Sequence, residues 1–131
     1  MSALFEDRED AGRRLASSLM HHARTPGLLV LGLPRGGVPV AAEVARALGA
    51  ELDVLVVRKL GLPWQPELAM GAIASGGAQV LNSEVLELAG VDTDTFQRVL
   101  AREREELARR ERLFRGERAP IDVSARTVIV I

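Results

Sequence analysis

The chain contains no cysteine. That excludes disulfides, thiolate nucleophiles and cysteine-ligated metal sites, and it fits a reducing compartment. No apolar run approaches the ~18 residues of a membrane-spanning helix. The N-terminal segment, with Glu6, Asp7, Glu9 and Asp10, lacks the basic-then-apolar order of a secretory signal, so the sequence predicts a cytoplasmic protein with no membrane partner. Charge of one sign is missing too: 17 Lys and Arg stand against 18 Asp and Glu, a net charge of −1. This balance argues against holding nucleic acid by bulk electrostatics. Lysine is almost absent, Lys59 being the only one among those basic residues. What remains is 47% apolar residues in a chain of 131, enough for one globular domain over residues 1–131 with a core of its own.

The most informative stretch runs from Leu28 to Val40. A continuous apolar run suits a parallel strand covered on both faces. It breaks at Gly32-Leu33-Pro34-Arg35-Gly36-Gly37 and restarts as a helix with Pro39 in its first turn. Arg35 supplies a charge, and Gly36 and Gly37 permit close backbone approach. Free N–H groups and the positive end of the helix dipole face the same spot, so the loop reads either as an anion cradle or as a plain tight turn.

The rest of the chain reads as alternating elements. Asp10 is placed to cap a helix that carries Leu15, Leu19 and Met20 on one side to about Ala23. His21 and His22 at its end suit the dipole rather than a metal. Val38 to Leu48 forms a small-residue helix ended by Gly49, and Leu52 to Val57 a second buried strand, giving a parallel crossover unit. Leu60 to Glu67, with two prolines and Trp64, reads as an exposed loop or flap. Trp64 either packs that flap down or covers a flat acceptor. Met70 to Ala74 and Gln79 to Asn82 flank Ser75-Gly76-Gly77-Ala78 as a hairpin, and Ser83 to Ala89 is a short helix ended by Gly90. From Asp94 to Arg115 runs the longest helix, with Phe96, Leu100, Leu107 and Phe114 as its stripe. Glu105/Arg109, Glu106/Arg110 and Glu111/Arg115 are spaced as ion pairs along it. Its charged faces are solvated, or its stripe mediates a dimer. After Ala119-Pro120, Thr127 to Ile131 begins another buried strand.

Taken in order, the strand before Leu-Pro-Arg-Gly-Gly-Val-Pro-Val-Ala, the strand ending Arg58-Lys59-Leu60-Gly61, the Pro66-Glu67-Leu68-Ala69-Met70-Gly71-Ala72-Ile73-Ala74 hairpin, the charged helix and the Thr-Val-Ile-Val-Ile strand resemble the type I phosphoribosyltransferase family over residues 5–131. The resemblance implies an α/β fold of three layers, a mainly parallel sheet with a small antiparallel hood hairpin, the flap and hood lying within residues 60–82. It implies that Leu33, Pro34, Arg35, Gly36 and Gly37 bind the pyrophosphate of phosphoribosyl pyrophosphate, with Mg2+ arriving on that substrate. Arg58 and Lys59 lie near the same group. Arg58 equally suits an ion pair at the sheet edge, and Lys59 a solvated position. Trp64 belongs to the hood over an unidentified nitrogenous acceptor, and no catalytic residue is assigned. The implied activity is glycosyl transfer in nucleotide metabolism.

The family's acidic pair and ribose 5-phosphate loop follow a strand like Thr127 to Ile131, and the sequence stops before them. It therefore reads as truncated, holding a pyrophosphate-side half-site and inactive alone. An uncovered edge on the Val128 to Ile131 strand would favour a homodimer. The alternative is a non-catalytic ligand-sensing or assembly module on the same fold, supported by the missing loop and the arginine-rich segment from Arg102 to Arg118.

Overall fold

The computed structural model describes residues 4–119 and 121–131. Pro120 of the expected Ala119-Pro120 break lies outside the described residues. The chain, read from sequence as one domain, groups into two compact units, residues 1–55 with 119–131 and residues 56–118. One sheet is parallel and the other antiparallel, so the fold is α/β. Among the described residues, no helix is long and apolar enough to cross a membrane.

In the first unit, α1 (Arg8–Leu19) is capped by Asp7, not Asp10. Asp7 has the extended backbone a cap requires, and its carboxylate accepts from Asp10 N at 2.7 Å. Asp10 sits in the first turn and accepts from Glu6 N at 3.1 Å, which holds its carboxyl below the usual range. The expected apolar side of this helix is also corrected. Leu19 packs against the core as expected, but Leu15 and Met20 are exposed, and the fully buried positions are Gly12 and Ala16. A Cβ on Gly12 would lie 2.7 Å from the Glu43 Cβ, so helix contact closer than leucines allow selects the small residues. Met20–His22 form a single 3₁₀ turn.

Strand β1 (Leu29–Gly32), helix α2 (Gly37–Leu48) and strand β2 (Glu51–Val54) make the expected parallel crossover. β6 (Val128–Val130) pairs with the other side of β1, giving the order β2-β1-β6. Ala41, Val44, Ala45 and Leu48 of α2 and Ala16 of α1 pack with Leu28 and Val30, joined by Leu52 and Ile129. Val30, Leu52 and Ile129 are register partners and share a face. Both helices therefore cover the same side of this sheet.

The second strand ends earlier than expected. Val56 and Val57 are not part of β2: β3 (Val57–Leu62) opens the second unit's antiparallel sheet, of order β3-β4-β5. The expected flap from Leu60 to Glu67 is thus corrected to a strand, a tight turn at Pro63 and Trp64, and the start of β4 (Gln65–Ala74). Leu60 and Leu62 alternate with Lys59 and Gly61 and are fully buried, a period of two masked in the sequence by the nearby glycine and prolines. The predicted hairpin is present: β4 pairs with β5 (Ala78–Leu81) around Ser75–Gly77, and the Ser75 hydroxyl accepts from Val56 N at 2.9 Å.

Helix α3 (Ser83–Ala89) is capped by Asn82 and ended by Gly90. Helix α4 (Thr93–Arg115) is capped by Asp92, whose carboxylate is lowered by the hydrogen bond from Thr95 N. Leu100 and Leu107 face the core as expected and Phe96 packs beside them, but Val99 joins them and Phe114 is exposed, with Arg115 buried instead. The core cluster uses no α4 residue beyond Leu107, so it does not reach the last turn.

The ion-pair pattern is also corrected at one place. Arg109 bonds Glu106 at 2.6 Å rather than Glu105, and Arg110 bonds the same carboxylate at 3.0 Å. Glu111 and Arg115 pair as expected, at 3.0 Å. Hydrogen bonds from Arg109 and Arg110 push the Glu106 carboxyl from its ordinary 4.5 down to about 2. Because the folded value is depressed, the interaction is complete above the ordinary value and is lost as pH falls through about 2. A carbon-13 titration is expected to place Glu106 near that midpoint; a midpoint of about 4.3, as in free glutamate, would show the pair absent in solution.

Candidate functional site

The carboxyl ends of adjacent parallel strands make a natural ligand-binding position where successive connections leave in opposite directions. β1 has β2 on one side and β6 on the other, so its end is such a point. Here Leu33 N donates to Ile131 O at 2.8 Å, and Ile131 N donates to Leu31 O at 2.8 Å. The two strand ends are thereby locked together beneath the loop. Gly37 N donates back to Leu33 O at 2.9 Å, which closes the loop into the first turn of α2. The Pro34–Arg35 peptide is cis.

Gly37 must lack a side chain. A Cβ there would lie 2.6 Å from Ile131 O, a backbone atom fixed by the bond to Leu33. Arg35 is exposed at the loop's crest, with the positive end of the 12-residue α2 behind it. The predicted residues Leu33, Pro34, Arg35, Gly36 and Gly37 are therefore brought into one tight turn.

Sequence reasoning missed Arg8. This first residue of α1 lays its guanidinium along Gly36, with Nε 3.3 Å from where a Cβ would be. A second cation thus flanks the loop within the same unit. Its signal was faint, because no spacing links Arg8 to a loop nearly thirty residues on.

Arg58 and Lys59 belong to the second unit, inside β3 rather than after the second parallel strand. Arg58 gives both Nε and a terminal nitrogen to Glu103 Oε2 on α4, each at 2.8 Å, so the edge ion-pair reading is the one observed. Lys59 is exposed. Trp64, at the β3–β4 turn, is 61% exposed. It borders a depression of about 390 Å³ with Pro63, Arg98 and Arg102. Among the described residues no group of three or more His, Cys, Asp or Glu side chains is arranged to hold a metal.

No protein-family model matches the chain. Two Mycobacterium tuberculosis proteins, from strains CDC 1551 and H37Rv, are 50% identical to it over 130 residues, which is 98% of this chain and 29% of each of theirs. Both names assign them provisionally as phosphoribosyl transferases. A crystal structure of the Thermus thermophilus protein TT1426 superposes with a TM-score of 0.73 at 44% identity, covering 96% of this chain and 59% of that one. The chain thus spans about three tenths of the length of its curated relatives. The similarity takes in almost all of this chain and the matching three tenths of two proteins named as phosphoribosyl transferases.

Proposed function

We propose that the protein moves phosphoribose from phosphoribosyl pyrophosphate to a nitrogenous acceptor, and that the Leu33 to Gly37 loop serves the departing diphosphate. The observation that carries this reading is the loop's placement: an arginine-bearing turn at the joined ends of β1 and β6, directly before α2, in a chain related to phosphoribosyl transferases. The reading also supplies the finer fold expectation, a type I phosphoribosyltransferase domain with residues 60–82 as part of its hood.

In such a transfer the bond from C1′ to the diphosphate oxygen breaks and a bond from C1′ to the acceptor nitrogen forms. The diphosphate leaves with the electron pair, and positive charge develops on the ribose. The protein's part is to position the donor and stabilise the departing anion. Backbone N–H groups at the start of α2, Arg35 and the neighbouring Arg8 suit that task, because helix N-termini and guanidinium forks both favour phosphate oxygens. A magnesium ion carried on the diphosphate takes phosphate oxygens and water and needs no protein cage. Lys59 is proposed as a cation of the second unit's own anion-facing surface, with Arg58 held beside it by Glu103, and Trp64, with its ring open, as a cover for a flat acceptor.

Calorimetry with magnesium pyrophosphate and with phosphoribosyl pyrophosphate tests the loop. Arg35→Ala is expected to weaken binding about 10- to 100-fold, the range of one or two kcal/mol-scale charge-assisted hydrogen bonds. No binding by the unaltered chain, or equal binding by the Arg35 variant, would refute the assignment.

A further inference from the structure

We infer that the outward face of α4, with Trp64 beside it, is a binding surface for single-stranded nucleic acid. A base stacks on the indole while Arg98, Arg102, Arg109 and Arg112 take the phosphates. The inference goes beyond the proposed transfer and rests on no part of it. A net charge of −1 argues against attraction by the molecule as a whole, but not by one row of side chains.

In a helix of about 3.6 residues per turn, positions 98, 102, 109 and 112 fall within an arc of about 80°. All four arginines are exposed. The arc lies on the side of α4 away from Leu100 and Leu107, which belong to the core. Two depressions border it and share Arg102. One, of about 390 Å³, is bordered by Trp64, Thr95, Arg98 and Arg102, and among the described residues no carboxylate borders it. The other, of about 650 Å³, is bordered by Arg102, Arg109 and Arg112 together with Glu103, Glu105 and Glu106.

Most of the nearby carboxylates are spent. Glu103 is held by Arg58 at 2.8 Å. Glu106 takes both Arg109 and Arg110, which leaves that cluster one positive charge in surplus. Asp92, whose carboxylate feels Arg98, is the cap of α4 and accepts from Thr95 N. Arg98 itself donates to the neutral Thr95 hydroxyl at 3.4 Å. Arg102 is 70% exposed and has only a loose 4.0 Å contact with Glu103. Glu105 is the one carboxylate on the arc between Arg98 and Arg112, and Asp94 lies a turn before it.

An open indole beside two guanidiniums suits a base with its phosphate, because every base has a flat face and a guanidinium forks phosphate oxygens. The strand must be single, since only an unstacked base can lie on a side chain. A second copy suits the row poorly: set in register against itself, parallel or antiparallel about Glu105, it opposes arginine to arginine. An acidic protein segment would match the arginines but has no use for the exposed ring of Trp64.

Trp64, the single tryptophan, reports the contact. With an end-labelled oligothymidylate of about 12 residues, within the usual site sizes, saturable binding is expected by anisotropy at low salt, with quenching of Trp64 emission. The logarithm of affinity should fall against that of salt with a slope of about −2 to −3, from three or four phosphates at about −0.7 each. Arg98→Ala, Arg102→Ala and Arg112→Ala are each expected to flatten this slope by about 0.7. Trp64→Leu should weaken binding about 5- to 150-fold with the slope kept, the range for one base on an aromatic ring. Glu105→Gln, which removes the carboxylate from the row, should tighten binding. Arg104→Ala takes away an arginine of the same helix that turns aside to Gln79, and is expected to change neither affinity nor slope. No saturable binding, emission unchanged on binding, or a slope flattened as much by Arg104→Ala as by Arg102→Ala would overturn the surface. Thymidine monophosphate binding as tightly as the oligomer would overturn the row, and equal binding of a duplex would overturn the single strand. Displacement by polyglutamate, with Trp64→Leu without effect, would overturn nucleic acid in favour of an acidic protein segment. None of these readings touches the loop, whose assignment stands or falls on Arg35→Ala.

Discussion

Leu60→Ala is expected to lower the unfolding free energy of the second unit by about 2–5 kcal/mol. Leu60 has no exposed surface and belongs to the cluster formed by Val56, Leu62, Met70, Ile73, Val85, Val99, Leu100 and Leu107. Truncation removes its transfer free energy and leaves a cavity that β3, pinned by pairing to β4, cannot easily close. Against a typical total of about 5–15 kcal/mol this is a large fraction. Leu60→Met, which conserves volume, is expected to cost less than about 1.5 kcal/mol. Urea unfolding monitored at Trp64, the chain's single tryptophan and a residue of the same unit, measures both. A loss below about 1 kcal/mol for the alanine variant would mean that the strand assignment of Leu60 is wrong and that the flap expected from sequence exists in solution.

Asp53→Ala is expected to cost about 2–4 kcal/mol, in the first unit. Asp53 is 6% exposed, its Oδ1 accepts from Val54 N at 2.8 Å, and its Oδ2 accepts from Ile121 N at 3.1 Å. The second bond ties the segment leading into β6 to the end of β2. Alanine removes the carboxylate from both N–H groups, and losing such a bond at a buried donor costs about 1–3 kcal/mol. Asp53→Asn retains one acceptor oxygen and is expected to fall between the two. Hydrogen exchange provides a second reading: loosening this tie should speed exchange at Ile131 N and Leu33 N, whose bonds join β6 to β1 under the candidate loop. Unchanged exchange there, with stability lost elsewhere, would separate the Asp53 tie from the loop.

Much of the first unit was legible along the chain. The β1–α2–β2 crossover followed from an apolar run, a glycine turn and a helix of alanines, and the loop from Leu33 to Gly37 sits where that reading places it. The hairpin around Ser75–Gly77 and the caps at Gly49 and Gly90 were local turn chemistry and were read correctly. Failures came where a partner distant in sequence decides the outcome. Leu15 and Met20 obeyed helical spacing, yet α1 turns Gly12 and Ala16 inward, because closeness to α2 matters more than hydrophobicity there. In the sequence Leu60 and Leu62 have the look of flap residues because glycine and prolines punctuate them, although pairing with β4 makes them core.

The sequence by itself determined the elements whose information is local: strand and helix periods, turns, the glycines of the loop, and the order of motifs in which the chain resembles phosphoribosyltransferases. Those features depend on backbone sterics and side-chain spacing within a few residues, which a linear chain displays directly. Only the tertiary structure decided which charges are available. Arg58 is 45 residues from the glutamate that holds it, and Arg8 reaches the loop from the other end of the first unit's opening helix. Whether a cation is free for a ligand or spent on a carboxylate depends on contacts of a few ångströms between residues far apart in the chain, and no local pattern encodes that distance.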